Sequence, residues 1–425
     1  MVLQEEKNIN NESLINEEQK RLSVLSRRRV YLFSGVLVML FSGVLYAWSI
    51  LKIPFAEEFN WDAGFLALNF TLTMCFFCLG AFFGSLLNKK IGIKYTLFIS
   101  SVLTGAGFVF TGFIKDSLPV LLIIAYAVFA GMGIGISYNA VVSTVTAWFP
   151  DKKGFSSGCL MLGFGLSTLI LGNVIDFMYK SEVFGWRKAF IILGAVLFFV
   201  LVFAAFTLKK PDENTILPSA ENKKTAKAED FIKRDFTTVQ MLRNFTFWRA
   251  FVCMILLTAV GNSAISFARD LVLSVDASPD IATTMVGVLA VCNGFGRILT
   301  GILFDRSGRR FTMYCANIIT IIAAGVTLIS VSINSLPLCI IGLCLTGISY
   351  GSCPTVTSAF TLAFYGQKHF SVNYSLINFN LIFASFIAGF SNTMMINTGS
   401  YFASFIMLVI LAVLAMGLNI TIKKP

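Results

Sequence analysis

The chain has 425 residues, of which 56% are hydrophobic and 13% charged, against the roughly 25% charged residues of a soluble domain. That composition excludes a water-soluble globule and leaves room for about twelve bilayer-spanning helices of about 20 residues each. A net charge of +11 would suggest nucleic acid as the partner of a soluble protein. In a membrane protein the same Lys and Arg mark the side of the bilayer on which each loop lies, so no nucleic-acid role is expected.

Residues 1–29 are polar and show no cleavable signal peptide, because the first apolar run is long enough to span and stay. Runs of about 20 apolar residues then fall near 30–50, 65–87, 95–113, 118–140, 156–179, 188–208, 247–268, 281–303, 312–333, 336–358, 371–394 and 400–422, here numbered spans 1 to 12. Each must be helical, since lipid cannot satisfy open backbone polar groups, and a barrel would show short alternating strands instead. Between spans 6 and 7 the stretch 209–246 is rich in charge and poor in aromatics, as a solvated linker is. The expected architecture is therefore an all-α integral membrane protein: twelve transmembrane helices in two pseudo-symmetric six-helix bundles, residues 30–208 and 247–425. The polar segment 1–29, the linker 209–246 and a short C-terminal tail are expected in the cytoplasm.

Charge sorting supports that topology. With the N-terminus inside, 26 of the 33 Lys and Arg fall on the cytoplasmic side and six outside, as the positive-inside rule requires. The halves also echo each other: SLLNKKIGIK at 85–94 and GILFDRSGRR at 301–310 share one frame at an offset of 216 residues. Repeated six-helix halves around a polar central loop are the plan of a carrier that rocks one half against the other about a midplane site.

Few residues are equipped for chemistry. The nine cysteines sit mostly in apolar segments, where free Cys behaves as a small hydrophobe. Cys75 and Cys78 form a CxxC without a second pair, and His369 is the single histidine, so neither a metal site nor a catalytic triad is expected. The run GMGIGIS at 131–137 lacks the strand-turn-helix context of a nucleotide fingerprint and serves close helix packing instead. No cofactor, no metal and no enzymatic activity are expected. Arg297 stands out as a full charge in the middle of a span, a placement that costs about 2.5–3.5 kcal/mol unless partnered. No Asp or Glu lies in the core of a span, which leaves helix carbonyls or a carried carboxylate, held by the guanidinium fork, as its partner. Asn293 lies one helical turn away on the same face.

The loop signature Gly301, Asp305, Arg306, Gly308, Arg309 and Arg310 resembles that of the major facilitator superfamily, with Lys89 at the acidic position of the first half. More narrowly, YAWSILKIPF (46–55), GISYNAVVSTVTAWFPDKKG (135–154), GFGLSTLILG (163–172), NGFGRILTGILFDRSGRR (293–310) and NYS (373–375) resemble the oxalate/formate antiporter family, whose members carry small carboxylates and are related to the monocarboxylate transporters. The resemblance implies that Arg297 binds the substrate carboxylate and that Tyr46, Trp48, Tyr138 and Tyr350 line the cavity. It implies that the signature loop acts in the conformational cycle. Where proton-coupled relatives have an Asp, this chain has Asn293; where the oxalate carrier has a span 11 lysine, it has Asn378 and Asn380. One cavity cation suits one carboxylate. The expected function is secondary transport of a monocarboxylate of the lactate, pyruvate or formate class, as antiport or proton-linked symport, by a monomer in the cell membrane. A dicarboxylate exchanger, or a facilitator with another cargo, is the alternative.

Overall fold

The computed structural model describes residues 24–115, 118–212, 215, 217 and 235–423. Residues 1–23 and most of the linker lie outside them. The described residues form helices and connecting turns, with no strand among them. Ten helical stretches are long and apolar enough to cross a membrane, two of them 49 residues long. At 1.5 Å per residue, 49 residues would reach about 70 Å, more than twice the roughly 30 Å hydrocarbon core.

Both long stretches break at a glycine. Ala63–Gly112 contains spans 2 and 3 and turns at Gly92 (φ 78°, ψ 170°), while Pro279–Ser332 contains spans 8 and 9 and turns at Gly308 (φ 74°, ψ 179°). A side chain makes that combination of positive φ and extended ψ prohibitive, so the glycine of the repeated loop frame sets the reversal in each half. The ten stretches thus supply twelve crossings: the remaining spans are Val24–Ala47, Val120–Thr146, Gly154–Lys180, Gly185–Thr207, Phe245–Ser266, Leu336–Tyr365, Phe370–Thr398 and Tyr401–Thr421. Large apolar side chains such as Phe33, Phe177 and Phe199 are 67–72% exposed, and lipid is the environment that tolerates such a surface.

Two boundaries differ from the sequence reading. The first helix already runs from Val24, through the polar Arg27–Arg29. Arg28 is buried there because Asp151 pairs with it and the Phe149 ring lies 4.4 Å beneath its guanidinium. Within the stretch read as linker, Thr238–Arg243 forms a short helix closed by a capping box between Thr237 and Gln240, and the Thr238 hydroxyl donates to Asn373 at 3.0 Å.

Four spans depart from regular α-helix. Span 1 tightens to 3₁₀ over Gly43–Ala47, span 4 widens to a π-helix over Ile123–Gly131, span 10 carries Pro354 inside it, and span 11 is interrupted by turn residues 378–379. The irregularities in spans 1, 10 and 11 coincide with cavity residues, as discontinuous helices do in carriers. The buried apolar core is continuous from the first half into the linker-side ends of the second, through Met241, Phe360, Tyr374 and Ile422. The opposite ends of the second half, around Val260, Phe267, Leu343 and Phe405, form a cluster of their own.

Candidate substrate site

A cavity lies between the halves. The first half lines it with Tyr46, Phe77, Tyr138 and Phe164; the second contributes Arg297, Thr258, Thr357, Asn378 and Asn380, completed by Tyr350, Pro354 and Leu381. No acidic residue takes part in the lining. The first wall is one interlocked aromatic group, with Phe164 edge-on to both Tyr46 (5.3 Å) and Tyr138 (5.1 Å), and Phe77 edge-on to Tyr138 (5.1 Å).

Arg297 is 2% exposed. Its Nε donates to Asn293 Oδ1 at 3.0 Å, one turn back along span 8, and its Nη1 donates to the backbone carbonyl of Met161 on span 5 of the other half. A guanidinium has five N–H donors, so these bonds leave donors for a ligand on the cavity side. A helix carbonyl and a side-chain amide share the role of partner. Gly165 leaves the guanidinium room: a Cβ there would sit 3.1 Å from both Cζ and Nε of Arg297. Gly261 of span 7 does the same for Tyr350, whose Cδ2 would lie 2.4 Å from an added Cβ. Asn378 is 3% exposed, and its amide nitrogen makes no hydrogen bond, leaving a buried donor at the cavity.

Trp48 lies elsewhere than the cavity wall. Its indole donates to the Leu66 carbonyl at 3.0 Å and its ring lies tilted against Tyr126 (4.7 Å between centroids) inside the first half. The structure adds lining residues that the sequence reading did not single out: Phe77, Phe164, Thr258, Pro354, Thr357 and Leu381; Tyr374 bonds Tyr138 from outside the lining. Pro354, a proline within an apolar span, was a visible signal; Phe77 and Phe164 are two among 43 Phe and carry none.

On the linker side of the cavity, hydrogen bonds join the halves. The Tyr138 and Tyr374 hydroxyls are 2.9 Å apart, and Asn139 and Ser371 bond reciprocally, amide to carbonyl at 3.0 Å and hydroxyl to amide oxygen at 2.6 Å. At the end of span 8, Asp305 accepts from the backbone N–H groups of Gly154 and Phe155, each at 2.8 Å. It thereby caps the first turn of span 5 across the seam, where a carboxylate meets the positive end of the helix dipole. Gly301 and Gly154 allow the approach, since a Cβ on either would meet the other's carbonyl within 2.4 Å. Arg309 serves its own half: it is buried, donates to the Ile422 carbonyl at 3.2 Å and lies 5.1 Å from the centre of the Phe364 ring. Arg306 and Arg310 are exposed. Among the described residues no cluster of three or more His, Cys, Asp or Glu is placed to hold a metal ion.

The family model of the Major Facilitator Superfamily matches residues 30–270 and 251–424. The chain belongs to that superfamily and is a multi-pass membrane transporter, not an enzyme. The particular relatives are more distant. It is 24% identical over 352 residues to an uncharacterized MFS-type transporter, YhjX, of Escherichia coli, covering 82% of this chain and 84% of the relative. It is 27% identical over 293 residues to the oxalate:formate antiporter of Oxalobacter formigenes (68% and 66% covered), and 25% identical over 386 residues to rat monocarboxylate transporter 12 (84% and 77%). Among solved structures, the proton:xylose symporter XylE superposes with a TM-score of 0.68 at 14% identity over 93% of this chain and 97% of that one. A variant of the E. coli fucose:proton symporter FucP gives 0.66 at 13% identity over 93% and 98%.

Proposed function

We propose that the chain carries a small monocarboxylate by alternating access, in exchange or with a proton, with Arg297 as the anchor of the carboxylate. The observation that carries this reading is a buried cation that lines a cavity and has no carboxylate partner among the described residues. Thr258, Thr357, Asn378 and Asn380 supply neutral hydrogen-bonding groups around it, and the aromatic wall excludes water and faces the uncharged part of the cargo. Relatives named as monocarboxylate transporters and as an oxalate:formate antiporter support the carboxylate class. A dicarboxylate would leave its second charge among neutral groups, which disfavours oxalate. The same reading makes the protein a monomer of the cell membrane with both termini in the cytoplasm. Uptake of labelled lactate, pyruvate, formate and oxalate into proteoliposomes, with and without a pH gradient or cargo inside, tests the function. Saturable uptake of monocarboxylates ahead of oxalate is the expected result, and tighter binding of oxalate than of all three monocarboxylates overturns the cargo assignment. For topology, a cysteine introduced as Thr225→Cys should resist impermeant thiol reagents in intact cells.

A further inference from the structure

Three bonds form a chain from the cavity to the seal on its linker side. Arg297 of span 8 donates across the seam to the Met161 carbonyl; the Met161 sulfur, on the same residue, accepts from the Tyr138 hydroxyl at 3.0 Å; and that hydroxyl lies 2.9 Å from the hydroxyl of Tyr374 on span 11. The chain crosses between the halves twice, once at the proposed cargo anchor and once at the seal. Met161 and Tyr374 do not line the cavity, and both are fully buried.

We propose that Met161 and Tyr374 are positioning residues that couple cargo occupancy to the linker-side seal, so that the empty carrier resists opening toward the linker. The inference rests on the reading of Arg297 as cargo anchor. The desolvated guanidinium donates a charge-assisted bond to the opposite half, and parting the halves on the linker side would strip that acceptor from a buried charge. A bound carboxylate neutralises the guanidinium and replaces the lost acceptor, after which the Met161 tie is dispensable. Tyr138 has its ring in the aromatic wall and its hydroxyl in the seal, so a shift of Met161 toward or away from Arg297 reaches Tyr374 through one sulfur contact.

Two substitutions test the coupling without removing a cavity residue. Met161→Leu keeps the carbonyl and most of the volume but loses the sulfur acceptor, and Tyr374→Phe loses only a hydroxyl. In cargo-free purified protein, backbone hydrogen exchange at 370–377 should rise several-fold in both variants relative to wild type. In proteoliposomes, net efflux into cargo-free medium should rise several-fold relative to exchange, while equilibrium binding stays within about threefold. Unchanged protection and an unchanged efflux-to-exchange ratio in both variants overturn the proposal. A rise in Tyr374→Phe alone also overturns it, because Met161 would then not be part of the path. If wild-type protein exchanges no carboxylate, the functional reading fails and the coupling to cargo with it, while the hydrogen-exchange comparison separately decides whether Met161 and Tyr374 hold the seal.

Discussion

Around the cavity the first half presents Tyr46, Phe77, Tyr138 and Phe164, whereas the second presents Arg297, Thr258, Thr357, Asn378 and Asn380. The same six-helix plan therefore carries only aromatic rings on one side and, on the other, the charge with neutral polar groups and a single aromatic ring, Tyr350. Repetition of the fold fixes where helices reverse, at Gly92 and Gly308, but leaves each half free to specialise at the seam. The loops show the same divergence: Asp305 bonds the opposite half through two amides, while Lys89, at the corresponding place, is exposed. If the second half binds the ion and the first half shapes its surroundings, substitutions should rank by which of these tasks they disturb.

Arg297 should give the largest effect. Removing one partner of a desolvated charge pair costs about 2–5 kcal/mol, some thirty-fold to several-thousand-fold in affinity. Arg297→Gln is expected to abolish uptake at ordinary cargo concentrations while the protein still inserts. Arg297→Lys keeps the charge but cannot form the bidentate fork, so severe impairment is expected there too. Folded Arg297→Gln protein that transports with unchanged affinity would make Arg297 a structural residue and dissolve the division between the halves.

Gly165 tests the same division from the aromatic side. An Ala Cβ would stand 3.1 Å from Cζ and Nε of Arg297, closer than ordinary van der Waals contact, so the guanidinium must shift by a few tenths of an ångström. Overpacking of this kind costs about 1–3 kcal/mol, and most of it falls on the arrangement of Arg297 rather than on helix stability. Gly165→Ala is expected to weaken cargo affinity about tenfold, measured as the concentration for half-maximal uptake. An affinity within twofold of wild type would mean that the contact of span 5 with Arg297 is incidental.

How far the sequence leads can be judged from these residues. Hydropathy and the Lys/Arg distribution are enough for twelve crossings, because the bilayer leaves helices as the one solution and each takes about 20 residues. Arg297 was legible for a related reason, since a lone charge in an apolar span is costly and has to be explained. Its bond to the Met161 carbonyl was not, because a backbone acceptor on another helix has no sequence signature. Trp48 and Tyr46 sit two residues apart on span 1 and resemble the family equally well, yet Tyr46 lines the cavity and Trp48 packs in the first half's interior. Residues two apart on a helix do not share a face, so one of the two had to point away from the cavity, and hydropathy does not say which. The 3₁₀, π and interrupted segments of spans 1, 4 and 11 were likewise invisible, whereas Pro354, inside the continuous helix of span 10, is plain in the sequence.

Asp305 should matter next, and through the cycle more than through binding. The carboxylate satisfies two amides at the first turn of span 5, a helix-terminus interaction worth up to about 2 kcal/mol. Asp305→Asn retains one acceptor oxygen but removes the charge. Turnover is expected to fall about tenfold, with equilibrium binding changed less than threefold, measured on the same purified protein by exchange and by cargo titration. Complete loss of binding in folded protein would place Asp305 in the cargo site instead of the seam.

Lys89 should give the smallest effect, and it completes the comparison. It occupies in the first half the position that Asp305 holds in the second, but its side chain is exposed, where a charge contributes about 0–1 kcal/mol. Lys89→Ala removes a basic residue without breaking a contact between the halves, so exchange is expected within twofold of wild type at any cargo concentration. The contrast with Asp305→Asn is the informative quantity. If the loops of the two halves were functionally equivalent, both substitutions would slow exchange to a similar extent; if the seam depends on the one carboxylate that reaches span 5, only Asp305→Asn will. A Lys89→Ala defect as large as that of Asp305→Asn would show that the first loop also grips its partner half in some stage of the cycle, and that the specialisation is confined to the cavity.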